Sequence, residues 1–150
     1  MKNLDAIVKA RRSVRSYDSH GLGTDDIEKL ESFMENAENP YGTKVSFKIL
    51  DAAKHGLSSP VVVGEKLYVG AKVCPEGDYS VAYGYSFEAM VLYAQSLGIG
   101  TVWIGGTMDR AVFEKAMELK EGELMPCVSP LGRAAEKMSL RETMMRKTIK

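Results

Sequence analysis

The stretch SVAYGYSFEAMVLYAQSLGIGTVWIGG, Ser80 to Gly106, decides the architecture. From Ser80 to Leu97 it is apolar on nearly every face of a helix, which places that helix at the centre of a domain. Glu88, Gln95 and Gly84 interrupt the run, so it reads as a helix buried in protein and not in lipid. Gly98 stops it in the manner of a left-handed C-cap. Thr101-Val102-Trp103-Ile104 then reads as a short strand, and Gly105-Gly106 ends it ahead of another helix.

Upstream, an opening helix runs from Leu4 to Arg11 with Asn3 as its N-cap. His20-Gly21-Leu22-Gly23 is a loop. Thr24 then caps a helix with Asp25 and Asp26 at its positive end and Ile27, Leu30, Met34 and Ala37 along one face. Asn39-Pro40-Tyr41-Gly42 breaks that helix. Val45 to Leu50 alternates as a half-buried strand, Ser59-Pro60 is a turn, and Leu67 to Val73 is a second strand. Downstream, Asp109 or Thr107 caps a helix with Val112, Phe113, Ala116 and Met117 on one side. Met125 to Leu131 reads as a strand whose Pro126 and Pro130 demand an edge or an irregular ladder. Ser139-Leu140-Arg141-Glu142 is a capping box that starts a last helix. Met144, Met145 and Ile149 along that helix have no residues left to cover them. The pattern is α+β: a small mixed or antiparallel sheet packed against several helices, as one domain over residues 1–150.

At 150 residues the chain has material for a single core, and its 45% apolar and 27% charged content is that of a globular protein. The formal net charge of zero gives no global attraction to nucleic acid or to an anionic membrane. The charges are nevertheless unevenly placed. Both ends are basic (Lys9, Arg11, Arg12, Arg15; Arg133, Lys137, Arg141, Arg146, Lys147, Lys150), and Asp25 to Glu38 is acidic. Two basic ends that met in space would form an anion site; two separate solvated faces is the alternative. Cys74 and Cys127 follow no metal spacing and read as reduced, small core residues of a cytoplasmic protein, with His20 and His55 standing alone. Met1 to Asp5 lacks the apolar run of a signal peptide.

Side-chain catalysis finds no support. There is no G-x-G-x-x-G and no P-loop, and Ser13, Ser86 and Ser129 lack the setting of a nucleophile elbow. Chemistry therefore falls to a bound cofactor that the protein orients. Arg11-Arg12-Ser13-Val14-Arg15 places three guanidiniums and a hydroxyl where they can grip a phosphate and the polar edge of a flat heterocycle. The same residues could simply neutralise a helix C-terminus. Gly105-Gly106 would admit a flat or anionic ligand to the backbone, or would simply form a tight turn.

Arg11-Arg12-Ser13-Val14-Arg15-Ser16-Tyr17 resembles the N-terminal FMN-binding segment of the nitroreductase family. Tyr83 to Ala94 followed by Leu97 to Gly106 is similar to that family's central helix and the strand after it. Asn39-Pro40-Tyr41-Gly42, Lys66 to Val73 and Met125 to Gly132 resemble the branch in which two related halves are fused, with this chain as the first half. The resemblance implies a nitroreductase-like α+β fold in which Arg11, Arg12, Ser13 and Arg15 hold the FMN phosphate and pyrimidine edge. It also implies that Gly105 and Gly106 lie beside the isoalloxazine, with Arg146 and Lys147 completing the phosphate site. A cation near the flavin N1–C2 edge stabilises the reduced ring. The implied activity passes electrons from NAD(P)H through FMN to a nitroaromatic, quinone or similar small-molecule acceptor. The implied assembly is a homodimer or a pairing with a separate second half, because the family's flavin lies between two halves. One departure stands out: the family's Ala-Pro-Ser…Asn…Gln-Pro-Trp segment, which supplies amides to the flavin and opens the second half of the fused branch, is missing. A half-domain that binds a partner or flavin without turnover is the alternative, and a nucleotide- or phosphate-binding module is a third.

Overall fold

A computed structural model describes residues 3–149, so Lys150 of the basic C-terminal cluster lies outside the described residues. The elements in chain order are α1 (Leu4–Ala10), α2 (Thr24–Glu35), β1 (Val45–Asp51), α3 (Ala52–His55), β2 (Leu67–Val73), α4 (Tyr79–Ser96), α5 (Arg110–Ala116), β3 (Val128–Leu131) and α6 (Leu140–Thr148). The three strands form one antiparallel sheet in the order β1-β2-β3, with Val45 opposite Val73 and Leu67 opposite Leu131. The fold is thus α+β, as the pattern of elements implied.

Central β2 is buried on both faces, and each face has its own core. Val69, Ala71 and Val73 point to a layer made with Leu30 and Met34 of α2 and with Tyr83, Phe87, Met90, Val91 and Ala94 of α4. Tyr68 points the other way, into a layer with Val14, Tyr17, Val102, Ile104, Phe113 and Met117. This is the two-fold alternation of a strand doing its ordinary work. At Gly70 the sheet needs the missing side chain: a Cβ there would stand 2.5 Å from the Met117 sulfur.

The long helix α4 buries one stripe, Ala82, Tyr83, Ser86, Phe87, Met90, Val91 and Ala94. Its opposite side is also apolar and is left open: Val81 and Tyr85 are about half exposed, as are Leu4 and Val8 of the adjoining α1. Gly98 follows the helix at φ 72°, the left-handed cap its position implied. Asn3 caps α1 by accepting from the Ala6 N–H at 3.4 Å.

Four expectations need correction. Thr24 is not the cap of α2; it is the first helical residue, after an N-cap at Gly23 that makes no side-chain hydrogen bond. Residues 101–104 form no continuous strand but touch their neighbours at isolated points: Thr101 with Ser13, Ile104 with Val128, and adjacent Gly100 with Gly132. The gap has a definite cause. Counting from those pairs, Val102 would face Pro130, which has no N–H to donate, and the Val102 N–H donates instead to Ser129 Oγ at 3.0 Å. The Met125–Leu131 strand shortens to Val128–Leu131, because the Cys127 N–H donates to the Tyr83 hydroxyl at 3.3 Å and the Met125 carbonyl accepts from Arg110 instead of joining a ladder; its prolines do mark an irregular edge ladder. Finally, Cys127 is buried but Cys74 is exposed, since Pro75 turns the chain away directly after β2; both cysteines are free.

Candidate functional site

The arginine segment begins where α1 stops. Arg11 leaves the helix at φ −63°, ψ 130°, and the chain continues extended. Val14, Ser16 and Tyr17 face the core, while Arg12 stays exposed and Ser13 and Arg15 are half-buried. Three backbone bonds of 2.9 Å fix this course: Val14 N–H to the Thr101 carbonyl, Val63 N–H to the Arg15 carbonyl, and Tyr17 N–H to the Val63 carbonyl. Gly100 makes the approach feasible, because a Cβ there would lie 2.7 Å from a Val14 methyl. Ser13 is therefore paired with Thr101, which brings the arginine segment alongside the run that ends in Gly105-Gly106.

The guanidiniums differ in what they already hold. Arg11 lies 4.0 Å from a Glu88 carboxylate that also accepts from the Trp103 indole N–H at 3.0 Å. Arg12 and Arg15 make no ion pair among the described residues. Their field is nevertheless felt at the Tyr17 phenol, which burial pushes well above its ordinary range and which donates to the Val14 carbonyl at 2.7 Å.

The two basic ends do meet, through a carboxylate. Ser139 caps α6 by accepting from the Glu142 N–H at 3.1 Å. The Glu142 side chain does not return to close the box. It turns inward and accepts from Ser16 Oγ at 2.5 Å and from Arg146 Nε and Nη2 at 2.9 and 2.7 Å. Arg146 Nη2 also donates to the Ser13 carbonyl at 2.8 Å. Arg146 is thus brought against the arginine segment with its charge already compensated, whereas Lys147 is exposed beside it with no ion pair among the described residues. The uncovered strip expected along α6 is present at Met144 and Ile149, 69% and 72% exposed, with Met145 only half-buried.

Burial of Glu142 opposes its ionisation, but the Ser16 and Arg146 hydrogen bonds outweigh that and hold its carboxyl below the usual range. A carboxyl depressed in the folded state stabilises it above the unfolded-state value and loses that contribution as pH falls through the folded value. Docking of α6 should therefore weaken on the acid side of the ordinary carboxylate value of 4.5. Amide protection factors of α6 against pH are the measurement. Protection should fall in that window in the parent and be low throughout in Glu142→Gln; a parent helix whose protection is flat down to about pH 3 contradicts the assignment.

Gly105 and Gly106 are both exposed, at the N-terminal approach to α5. A Cβ on Gly106 would meet nothing within 4 Å, so that position faces open space. The Gly105 carbonyl accepts from Arg110 Nη2 at 2.6 Å. Burial pushes the Cys127 thiol up to about 11, so Cys127 carries no thiolate at neutral pH. Among the described residues no cluster of side chains could hold a metal ion, and no helix is long and apolar enough to cross a membrane. Four surface clefts, beside β1, α2, α5 and the Asn39 turn, are lined by none of the arginines or glycines singled out.

The residues that sequence reasoning missed are the supporting ones. Gly100, Ser16, Glu142 and Arg110 act through partners distant in the chain; only the Ser139–Glu142 cap gave a local signal, and it pointed to the helix end instead of to Ser16.

A family model described as "Putative TM nitroreductase" matches residues 3–150 of the chain. Among solved structures, a nitroreductase family protein from Clostridium novyi NT superposes with a TM-score of 0.73 at 18% identity, covering 89% of this chain and 86% of that one. An FMN-dependent nitroreductase from Clostridium difficile R20291 gives 0.71 at 16% identity, covering 89% and 88%. A nitroreductase with bound FMN from Bacteroides fragilis NCTC 9343 gives 0.70 at 20% identity, covering 93% and 92%. At such identities the likeness is one of fold. No curated protein matches the chain.

Proposed function

The chain belongs to the TM nitroreductase family, and on that ground we propose that it is an FMN-dependent oxidoreductase taking electrons from NAD(P)H and passing them to a nitroaromatic, quinone or similar acceptor. One observation carries the reading: Arg12 and Arg15, without an ion pair among the described residues, flank a Ser13 laid against the run that ends at the open Gly106. That donor set suits a phosphate bearing a flat ring. Unspent guanidinium forks match phosphate oxygens, and a position free of side chains suits an aromatic face.

Bound FMN would supply the two-electron chemistry that no side chain here provides. The chain's own residues bind and orient. Arg12 and Arg15, with Arg11 and Lys147 nearby in the segment and on α6, are assigned to the phosphate and pyrimidine edge. Arg146 supports Ser13 through its carbonyl, and Gly105 and Gly106 leave room for the ring.

Assembly belongs to the same proposal. Val81, Tyr85, Leu4, Val8 and Trp103 expose an apolar surface beside the arginine segment, and surfaces of that kind mark interfaces. A second copy of the chain, or a separate second half, would cover it and close the site. A half-domain that binds flavin without turnover is the second reading.

Anaerobic titration separates these. The FMN-loaded protein should bleach in its visible bands on addition of NADH or NADPH and recover on addition of a quinone or nitroaromatic. Bound flavin that neither nucleotide bleaches supports the silent half-domain, and preference for ATP or inorganic phosphate over FMN supports a phosphate-binding module.

A further inference from the structure

Between Gly105 and Arg110 the chain makes an exposed turn, and two of its carbonyls are held from the protein side. Gly105 O accepts from Arg110 Nη2 at 2.6 Å, and Thr107 O accepts from Ser59 Oγ at 2.6 Å. Ser59 is itself buried, at 5% exposure, so Thr107 O points into the protein. All peptide bonds of the described residues are trans. In a trans peptide the C=O and the following N–H point in opposite directions. Gly106 N–H and Met108 N–H are thereby turned away from Arg110 and Ser59. Neither makes a hydrogen bond among the described residues, although backbone donors ordinarily find a protein partner, water or a ligand.

Arg110 is unusual in what it does with its charge. Besides Gly105 O it donates to Met125 O at 2.5 Å and lies 3.5 Å from Pro126 O. It has no carboxylate partner among the described residues. A planar guanidinium can span two carbonyls on different segments, which an ammonium cannot do with the same geometry. It ties the turn to the chain leading into β3 and leaves a net positive charge behind it.

We infer that Arg110 and Ser59 are positioning residues: by holding the Gly105 and Thr107 carbonyls they aim the Gly106 and Met108 amides outward as donors for the acceptor edge of a flavin ring. This rests on the flavin reading above. It assigns Arg110 to the ring side of the ligand and not to the phosphate.

The test compares FMN with riboflavin, which has the ring but no phosphate. Both are titrated by flavin fluorescence into the parent, Arg110→Gln, Arg110→Lys, Ser59→Ala and Arg15→Ala proteins, with visible spectra of the bound flavin. Arg110→Gln should weaken both flavins by the same factor, roughly tenfold for loss of one or two aligned hydrogen bonds, and shift the bound-flavin spectrum. Arg110→Lys should not rescue it. Ser59→Ala should act in the same direction by less, and stands in if Arg110→Gln does not fold. Arg15→Ala should weaken FMN alone. Equal affinity and an unchanged spectrum in Arg110→Gln overturn the inference, as does a loss confined to FMN. If the parent binds neither flavin, the flavin reading falls; the hold itself is then read from ¹⁵N relaxation of the Gly106 and Met108 amides in the cofactor-free protein. Amides as ordered in Arg110→Gln as in the parent would sink the hold as well.

Discussion

Replacing Phe87 with alanine is expected to destabilise the fold by about 3–5 kcal/mol, the range for deleting a large buried aromatic. Phe87 is fully buried on α4, with ring centroids 4.6 Å from Trp103, 5.7 Å from Tyr83 and 6.2 Å from Phe47. It joins the helix to β1 on one side and to the run leading to Gly105 on the other. The cavity would sit between Tyr83, Phe47 and Trp103, and the cost within that range depends on how far those rings close over it. In a domain of this size that corresponds to a fall in Tm of roughly 6–20 °C. Urea unfolding should show a lower midpoint with an unchanged slope. An unfolding free energy within about 1 kcal/mol of the parent would mean that α4 is not the organising helix.

Arg15→Ala is expected to weaken FMN binding by about 1.5–3 kcal/mol, or roughly ten- to a hundredfold, for loss of one charge-assisted contact to a phosphate. Stability should hardly change, because Arg15 is fixed by its backbone carbonyl, which the Val63 N–H holds at 2.9 Å, and by its buried neighbours. Among the described residues its side chain makes no ion pair. Arg15→Lys should fall between the two, keeping the charge and losing the fork. Isothermal titration with FMN measures both variants. Parent-like affinity in Arg15→Ala would remove the main support for placing phosphate on this segment.

Local chemistry wrote much of the fold plainly. Leu67–Val73 was legible as the centre of an apolar run, since every residue in it except Lys72 is apolar or small, as a central strand requires. The α4 helix was legible to within one residue because Gly98 must stop it. What sequence could not show depends on which distant residues meet. The break in 101–104 comes from the register that sets Val102 against Pro130. Glu142 reads as half of a cap until Ser16, 126 positions earlier, takes its carboxylate. Gly100 looks like another turn glycine, yet its role is to admit Val14. The candidate site divides in the same way. The arginines, Arg146 among them, and the glycines were visible as residue types, while the groups that hold them, Arg110, Ser59 and Glu142, depend on tertiary hydrogen bonds.

Sedimentation velocity across a dilution series, with and without FMN and read at both protein and flavin wavelengths, tests the central claim most directly. A flavin that binds only the paired state stabilises pairing by mass action. The protein should therefore sediment as a dimer, or as a complex with a separate second half, that carries the flavin absorbance and persists to lower concentration when FMN is present. A monomer that binds FMN one-to-one, with no change on dilution, would contradict the shared site and the interface assigned to the exposed face of α4.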